Sequence, residues 1–189
     1  FVYVHRQEWY CSLRPGRDVI ESSDNGVLDI VGWDLKKTLV LVSKSNPQLF
    51  EWLRSPIVYC EKQGMMDELR RLVERLFSGE ASLHHYCGMA QRCFLEFSND
   101  ELVRSKHYLY VLRPLLACLW VEADRGTPPM RFAESFCMVK DPEVMICISE
   151  LLKRKVSGLE LGKGPRIPIL DDFIKRELDR ITSRVTGVE

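Results

Sequence analysis

Apolar positions along this chain follow two different rhythms. As far as Tyr59 they come in short runs rich in valine, isoleucine and aromatic residues, the pattern of strands. The runs are Phe1–Val4, a stretch near Glu8–Leu13, Asp18–Glu21 and Val27–Val31. Arg14-Pro15-Gly16 and Asp24-Asn25-Gly26 separate them, and Asn-Gly is a strong tight-turn pair because both residues tolerate positive φ. Asp34 then predicts an N-cap for a helix whose apolar stripe is Leu35, Leu39 and Val42. Ser45-Asn46-Pro47 predicts the end of that helix and the start of another. Asn46 would cap it and Pro47 would sit in its first turn, where a missing N–H is harmless.

From Met65 onward the period lengthens to that of helices. One stripe runs Leu69, Leu72, Leu76, and the next Leu83, Tyr86, Ala90, Phe94, Phe97. The longest runs Leu102, Leu109, Leu112, Leu116, Leu119. Thr127-Pro128-Pro129 breaks the pattern before a short helix around Phe132–Met138. Asp141-Pro142 opens a helix carrying Val144, Ile148, Leu151 and Leu152. After Gly162-Lys163-Gly164-Pro165 a last helix shows Leu170, Ile174, Leu178 and Ile181. The expectation is an α+β chain, with residues 1–62 as the C-terminal part of a small α/β domain and residues 63–189 as a helical domain.

Composition changes this picture little. A net charge of zero argues against a protein that coats nucleic acid non-specifically, while leaving room for a local basic face. The seven cysteines are scattered without a Cys-x-x-Cys pair, which reads as reduced core thiols of a cytoplasmic protein. The longest apolar run, Tyr108 to Val121, is interrupted by Arg113 and Pro114 and falls short of a membrane span.

Several residues invite chemistry. Asp29 is a lone carboxylate in an apolar strand, where burying an unpaired charge is costly. It is either a metal ligand on a rigid element or a strand residue facing solvent. Lys106, Tyr110 and Arg113 stand at i, i+4 and i+7, so they share one helix face. That face could set a cation and a ring against a nucleotide, or it could be a solvated flank. Lys44 suits a phosphate contact, and somewhat better a helix C-terminal charge. His84-His85-Tyr86-Cys87 lacks the spacing of a zinc site. Gly158 to Gly164 has three residues rather than four between its outer glycine and Gly162, and Gly164 where a P-loop needs Ser or Thr. Lys153, Arg154, Lys155, Lys163 and Arg166 form a basic cluster around that loop, either a solvated face or an RNA-backbone contact.

Longer strings carry a resemblance. Asp29-Ile30-Val31-Gly32-Trp33-Asp34-Leu35-Lys36-Lys37, Lys44-Ser45-Asn46-Pro47, Glu51 through Tyr59 (EWLRSPIVY) and Tyr108 through Leu116 (YLYVLRPLL) occur in order. With Arg125-Gly126-Thr127-Pro128-Pro129 and Gly164-Pro165-Arg166-Ile167-Pro168, the sequence resembles predicted nucleotidyltransferases of the DNA polymerase β superfamily, in the RNA-repair-associated subgroup. The resemblance implies a nucleotidyltransferase-type mixed sheet followed by a helical bundle. It also implies transfer of a nucleoside monophosphate from an NTP, ATP above all, to a hydroxyl on RNA, protein or a small molecule. Three carboxylates of that family hold two Mg²⁺ ions, and Asp29 matches the third. Lys44, Lys106 and Tyr110 are the expected nucleotide contacts. The family pattern places a Gly-Ser turn and an Asp-x-Asp pair on the strand just before the segment matching Phe1–Val4. As written, the chain carries one acid of three, so alone it is expected to be inactive. The alternative is a non-catalytic module whose helices dock RNA or a protein beside a degenerate transferase remnant.

Overall fold

A computed structural model describes residues 1–14, 16–24, 28–62, 64–156 and 162–187. The Asn25-Gly26 turn, Val27, Pro15 and the Ser157–Leu161 part of the glycine-rich loop lie outside the described residues. The chain is a mixed α+β protein that divides into two compact units, Phe1–Phe77 and Ser78–Glu189.

The first unit is organised by one strand. β3 (Leu28–Asp34) lies between β1 (Val2–Tyr3), which runs parallel to it, and β2 (Val19–Asp24), which runs antiparallel. The helical turn α1 (Gln7–Tyr10) links β1 to β2. The Glu8–Leu13 stretch expected to be extended is therefore not a strand: its aromatic pair, Trp9 and Tyr10, packs at 5.0 Å from within a turn. A Cβ at Gly32 would fall on the ring of Phe1, which would have to swing aside.

Asp34 ends β3 and caps α2 (Leu35–Ser43) by accepting from the Lys36 N–H at 2.8 Å. Asn46 caps α3 (Pro47–Leu53) by accepting from the Leu49 N–H, with Pro47 in the first turn. Both starts are as the sequence predicts. The buried face of α2 agrees only at Val42. Thr38 and Val42 point inward, while Leu39 is 43% exposed. Trp33 closes the core from the sheet, stacked on Trp52 at 4.1 Å, with Val42, Leu49, Phe50 and Leu53. α4 (Met65–Leu76) adds Leu69 and Val73, one helical turn apart, and so completes this unit.

In the second unit α5 (Gly79–Leu95) packs against α6 (Ser105–Glu122), and α9 (Pro168–Thr186) lies across both. α7 (Phe132–Ser135), a 3-10 turn (Phe136–Met138) and α8 (Pro142–Val156) complete the layer. Leu112, Leu115, Leu116, Ile148, Leu170, Ile174 and Ile181 are fully buried at the centre. Two segments differ from the helical expectation. Leu102–Arg104 forms β4 and Lys163–Pro165 forms β5, and they pair as an antiparallel ribbon. Leu102 accordingly leaves the long stripe and is 51% exposed. Among the described residues no helix is long and apolar enough to cross a membrane.

Candidate functional site

Side chains alternate across a strand, so Asp29, Val31 and Trp33 share one face of β3. Trp33 anchors that face in the core at one end, and Asp29 stands exposed at the other. Ser23 of β2 lies directly opposite Asp29, and Glu21 lies opposite Val31. Directly opposed residues of an antiparallel pair point to the same side, so Glu21 stands on the Asp29 face one step along. Its carboxylate lies 3.8 Å from the exposed Arg17. The spacing of Glu21 and Asp29 along the chain gave no hint of this; only the register of the ladder brings them to one face. Two carboxylates offer hard oxygen donors of the kind Mg²⁺ takes. Among the described residues no group of three His, Cys, Asp or Glu side chains is placed to hold a metal ion.

The edge of β3 opposite β2 is paired only in part. The Phe1 nitrogen donates to the Val31 carbonyl at 2.7 Å, and the Trp33 N–H donates to the Phe1 carbonyl at 2.9 Å. Parallel pairing then runs Val2 with Trp33 and Tyr3 with Asp34. On this edge the backbone of Asp29 and Ile30 lies beyond the reach of β1.

Asp34 has a different environment from Asp29. It is fully buried, and besides capping α2 it accepts a hydrogen bond from the Tyr10 hydroxyl on its other oxygen. The Tyr10 oxygen in turn accepts from the His5 N–H at 3.1 Å. Burial, then the bond to Asp34, raises the Tyr10 hydroxyl above its usual range. Asp34 is a structural carboxylate that ties the β1–β2 connection to the start of α2.

Lys44 is the C-cap of α2 and is exposed, the position from which a cation meets the negative end of a helix. No hydrogen bond or ion pair among the described residues joins it to Asp29.

In the helical unit, α6 buries almost all of itself. Only Lys106, Tyr110 and Arg113 are exposed along its length, and they form one stripe, with Tyr110 at 54%. Pro114, inside the helix, has no N–H to offer the Tyr110 carbonyl one turn back. Arg113 reaches out to donate to the Met130 carbonyl at 3.1 Å.

The basic cluster around the glycine-rich loop separates into two kinds of residue. Arg166 is engaged with protein: two nitrogens hold Asp171 at 2.8 Å each, and a third donates to the carbonyls of Phe97, Ser98 and Asp100. The Tyr108 hydroxyl donates to Asp171 and accepts from the Ile167 N–H at 3.0 Å. This knot fixes β5 and the start of α9 to the end of α5. Lys163 lies 3.8 Å from Asp100, and Lys153 and Lys155 are exposed on the last turn of α8.

The profile described as the RNA repair pathway DNA polymerase beta family matches residues 1–189. The chain belongs to that family. It is also 44% identical over 182 residues to the uncharacterized protein YcgL of Bacillus subtilis (strain 168), covering 96% of this chain and 70% of that protein. No solved structure matches. Membership carries the DNA polymerase beta-like nucleotidyltransferase superfamily with it.

Proposed function

We propose that this chain forms part of a metal-dependent nucleotidyltransferase that moves a nucleoside monophosphate from an NTP, ATP first among them, to an acceptor hydroxyl. The observation that carries the proposal is Asp29: a solvent-facing carboxylate on a strand whose other end is locked into the core by Trp33. A ligand mounted on such an element keeps its geometry when a cation binds.

The register of β1 supports the reading further. A polypeptide continuing backwards along the line of β1 would run beside Ile30 and then Asp29. Parallel neighbours point to the same side, so an Asp-x-Asp pair in phase with position 29 would put its acids on the Asp29 face. Asp29, such a pair and Glu21 on the same face make an oxygen-rich set suited to two Mg²⁺ ions. When bound, such ions would supply neutralisation of the charge that opposes attack on the triphosphate. The protein's own part is positional: Asp29 fixes where the cations sit relative to the sheet. Within the same proposal Lys44 contacts a phosphate of the nucleotide. The family description favours RNA over protein or a small molecule as the source of the hydroxyl.

The test is incubation of the full-length protein with Mg²⁺ and each of four α-labelled NTPs, with RNA, protein and small-molecule acceptors offered separately. Label transferred only when Mg²⁺ is present supports the reading. Absence of transfer and of Mg²⁺–NTP binding under all conditions would favour a non-catalytic RNA- or protein-docking module.

A further inference from the structure

The exposed stripe of α6 does not end with the two residues assigned to the nucleotide. From Glu101 to Glu122 the sequence contains no carboxylate, yet it carries Arg104, Lys106 and Arg113. Arg104 is the N-cap residue of α6 and Arg113 lies nine residues on, about 13 Å along the axis at 1.5 Å per residue. Between them the helix shows solvent only Lys106 and Tyr110.

At the far end Arg113 donates to the Met130 carbonyl, which brings the backbone of the exposed Arg131 beside the same stripe. At the near end Arg104 sits directly opposite Lys163 across the β4–β5 ribbon. Like charges opposed on an exposed ladder repel. Asp100 relieves that repulsion only at the Lys163 end, from 3.8 Å. Among the described residues neither the Arg104 nor the Arg131 side chain has a hydrogen bond or ion pair. The result is a line of cations, free of acids along α6 itself, in a chain whose net charge is zero.

We propose that this line, Arg104 and Arg113 to Arg131, is the track for the phosphates of a single-stranded RNA acceptor. The word acceptor rests on the transferase reading; the binding surface does not. A protein acceptor would be met better by a surface of alternating sign, since acidic peptides also carry cations and apolar groups. A strand of RNA presents one sign only, repeated, and is matched by repeated cations.

Salt dependence of binding decides the matter. Anisotropy of a labelled single-stranded RNA of about twelve nucleotides is measured with the full-length protein over a range of salt. Each phosphate contact on a single strand contributes about 0.7 to the slope of log K against log salt. The pair Arg104→Ala and Arg131→Ala should lower the slope by about 1.4 and weaken binding about tenfold or more at low salt. Both side chains are exposed, so thermal unfolding should not move. An unchanged slope overturns the track, as does displacement of RNA by polyglutamate at equal charge concentration, which would assign the face to an acidic protein. Mg²⁺–ATP binding is followed in parallel. Its retention by the pair beside a reduced RNA slope is the expected result. Loss of ATP binding in wild type with the slope change intact would sink the transferase reading alone.

Discussion

Replacing Asp34 by Ala should unfold the first unit far more readily than replacing Asp29, although both lie on β3 five residues apart. Asp34 is fully buried and accepts two hydrogen bonds, from the Lys36 N–H and from the Tyr10 hydroxyl. Loss of an N-cap side chain costs about 1 kcal/mol. Loss of the charged acceptor leaves the Tyr10 hydroxyl without its partner, a further roughly 1.5–3 kcal/mol. The sum, about 2.5–4 kcal/mol, is a large share of what holds a domain of this size together. Asn at the same position keeps one acceptor oxygen and should lose about half as much, whereas Tyr10→Phe should reproduce only the hydroxyl part. Urea unfolding followed by tryptophan fluorescence reads this directly, because Trp9, Trp33 and Trp52 lie in the first unit and Trp120 alone in the second. In Asp29→Ala, where the side chain is exposed, the midpoint should stay within about 0.5 kcal/mol of wild type. A loss below about 1 kcal/mol in Asp34→Ala would refute the tether, leaving Asp34 as an ordinary cap.

Three further expectations follow from other contacts. Arg166→Ala should destabilise the helical unit by roughly 2–3 kcal/mol, below the value for a fully buried pair because the partners keep some solvent contact, as read by chemical denaturation. The bidentate bond from Arg70 holds the Glu61 carboxyl below its usual range. Its folded pKa is therefore the lower one, so this pair's stabilisation is present above the ordinary carboxylate pKa and fades as pH falls through the folded value. An acid titration of stability should show that loss shrinking in Glu61→Gln. Lys106→Ala should weaken Mg²⁺–NTP affinity about ten- to a hundredfold by isothermal titration, with an unchanged melting temperature, since a charge-assisted bond contributes roughly 1.5–3 kcal/mol.

What was legible in the sequence was local. Asp34, Asn46 and Pro47 sit at helix starts because capping depends on residues within one turn of each other. The long periodic helices were equally open to reading, since a stripe such as Val144, Ile148 and Leu151 repeats often enough to declare its face. The β4–β5 ribbon was not, because each strand has three residues, too few for any period, and they meet across about sixty residues of chain. On α2 the sequence offers apolar residues on most sides, and the packing of β3, α3 and α4 around it decides that Thr38 turns inward with Val42 while Leu39 faces out. The same limit applies at the candidate site. Asp29 could be singled out as a charge in an apolar strand, and the caps located Asp34. Glu21 reaches the Asp29 face, and Tyr10 reaches Asp34, through pairings that no local spacing encodes. Arg166 was grouped with solvated cations for the same reason: its partner Asp171 is five residues away in a different element.

The central claim is that Asp29 holds a catalytic cation on the exposed end of β3. Mg²⁺-dependent transfer of label from an α-labelled NTP, measured in the full-length protein and in Asp29→Ala, tests it most directly. Circular dichroism and the unfolding midpoint should be the same for both proteins, because the exposed Asp29 supports no packing. The account predicts transfer by wild type and none above background by the variant. Undiminished transfer by a folded Asp29→Ala protein would contradict it and return Asp29 to an ordinary solvent-facing strand residue.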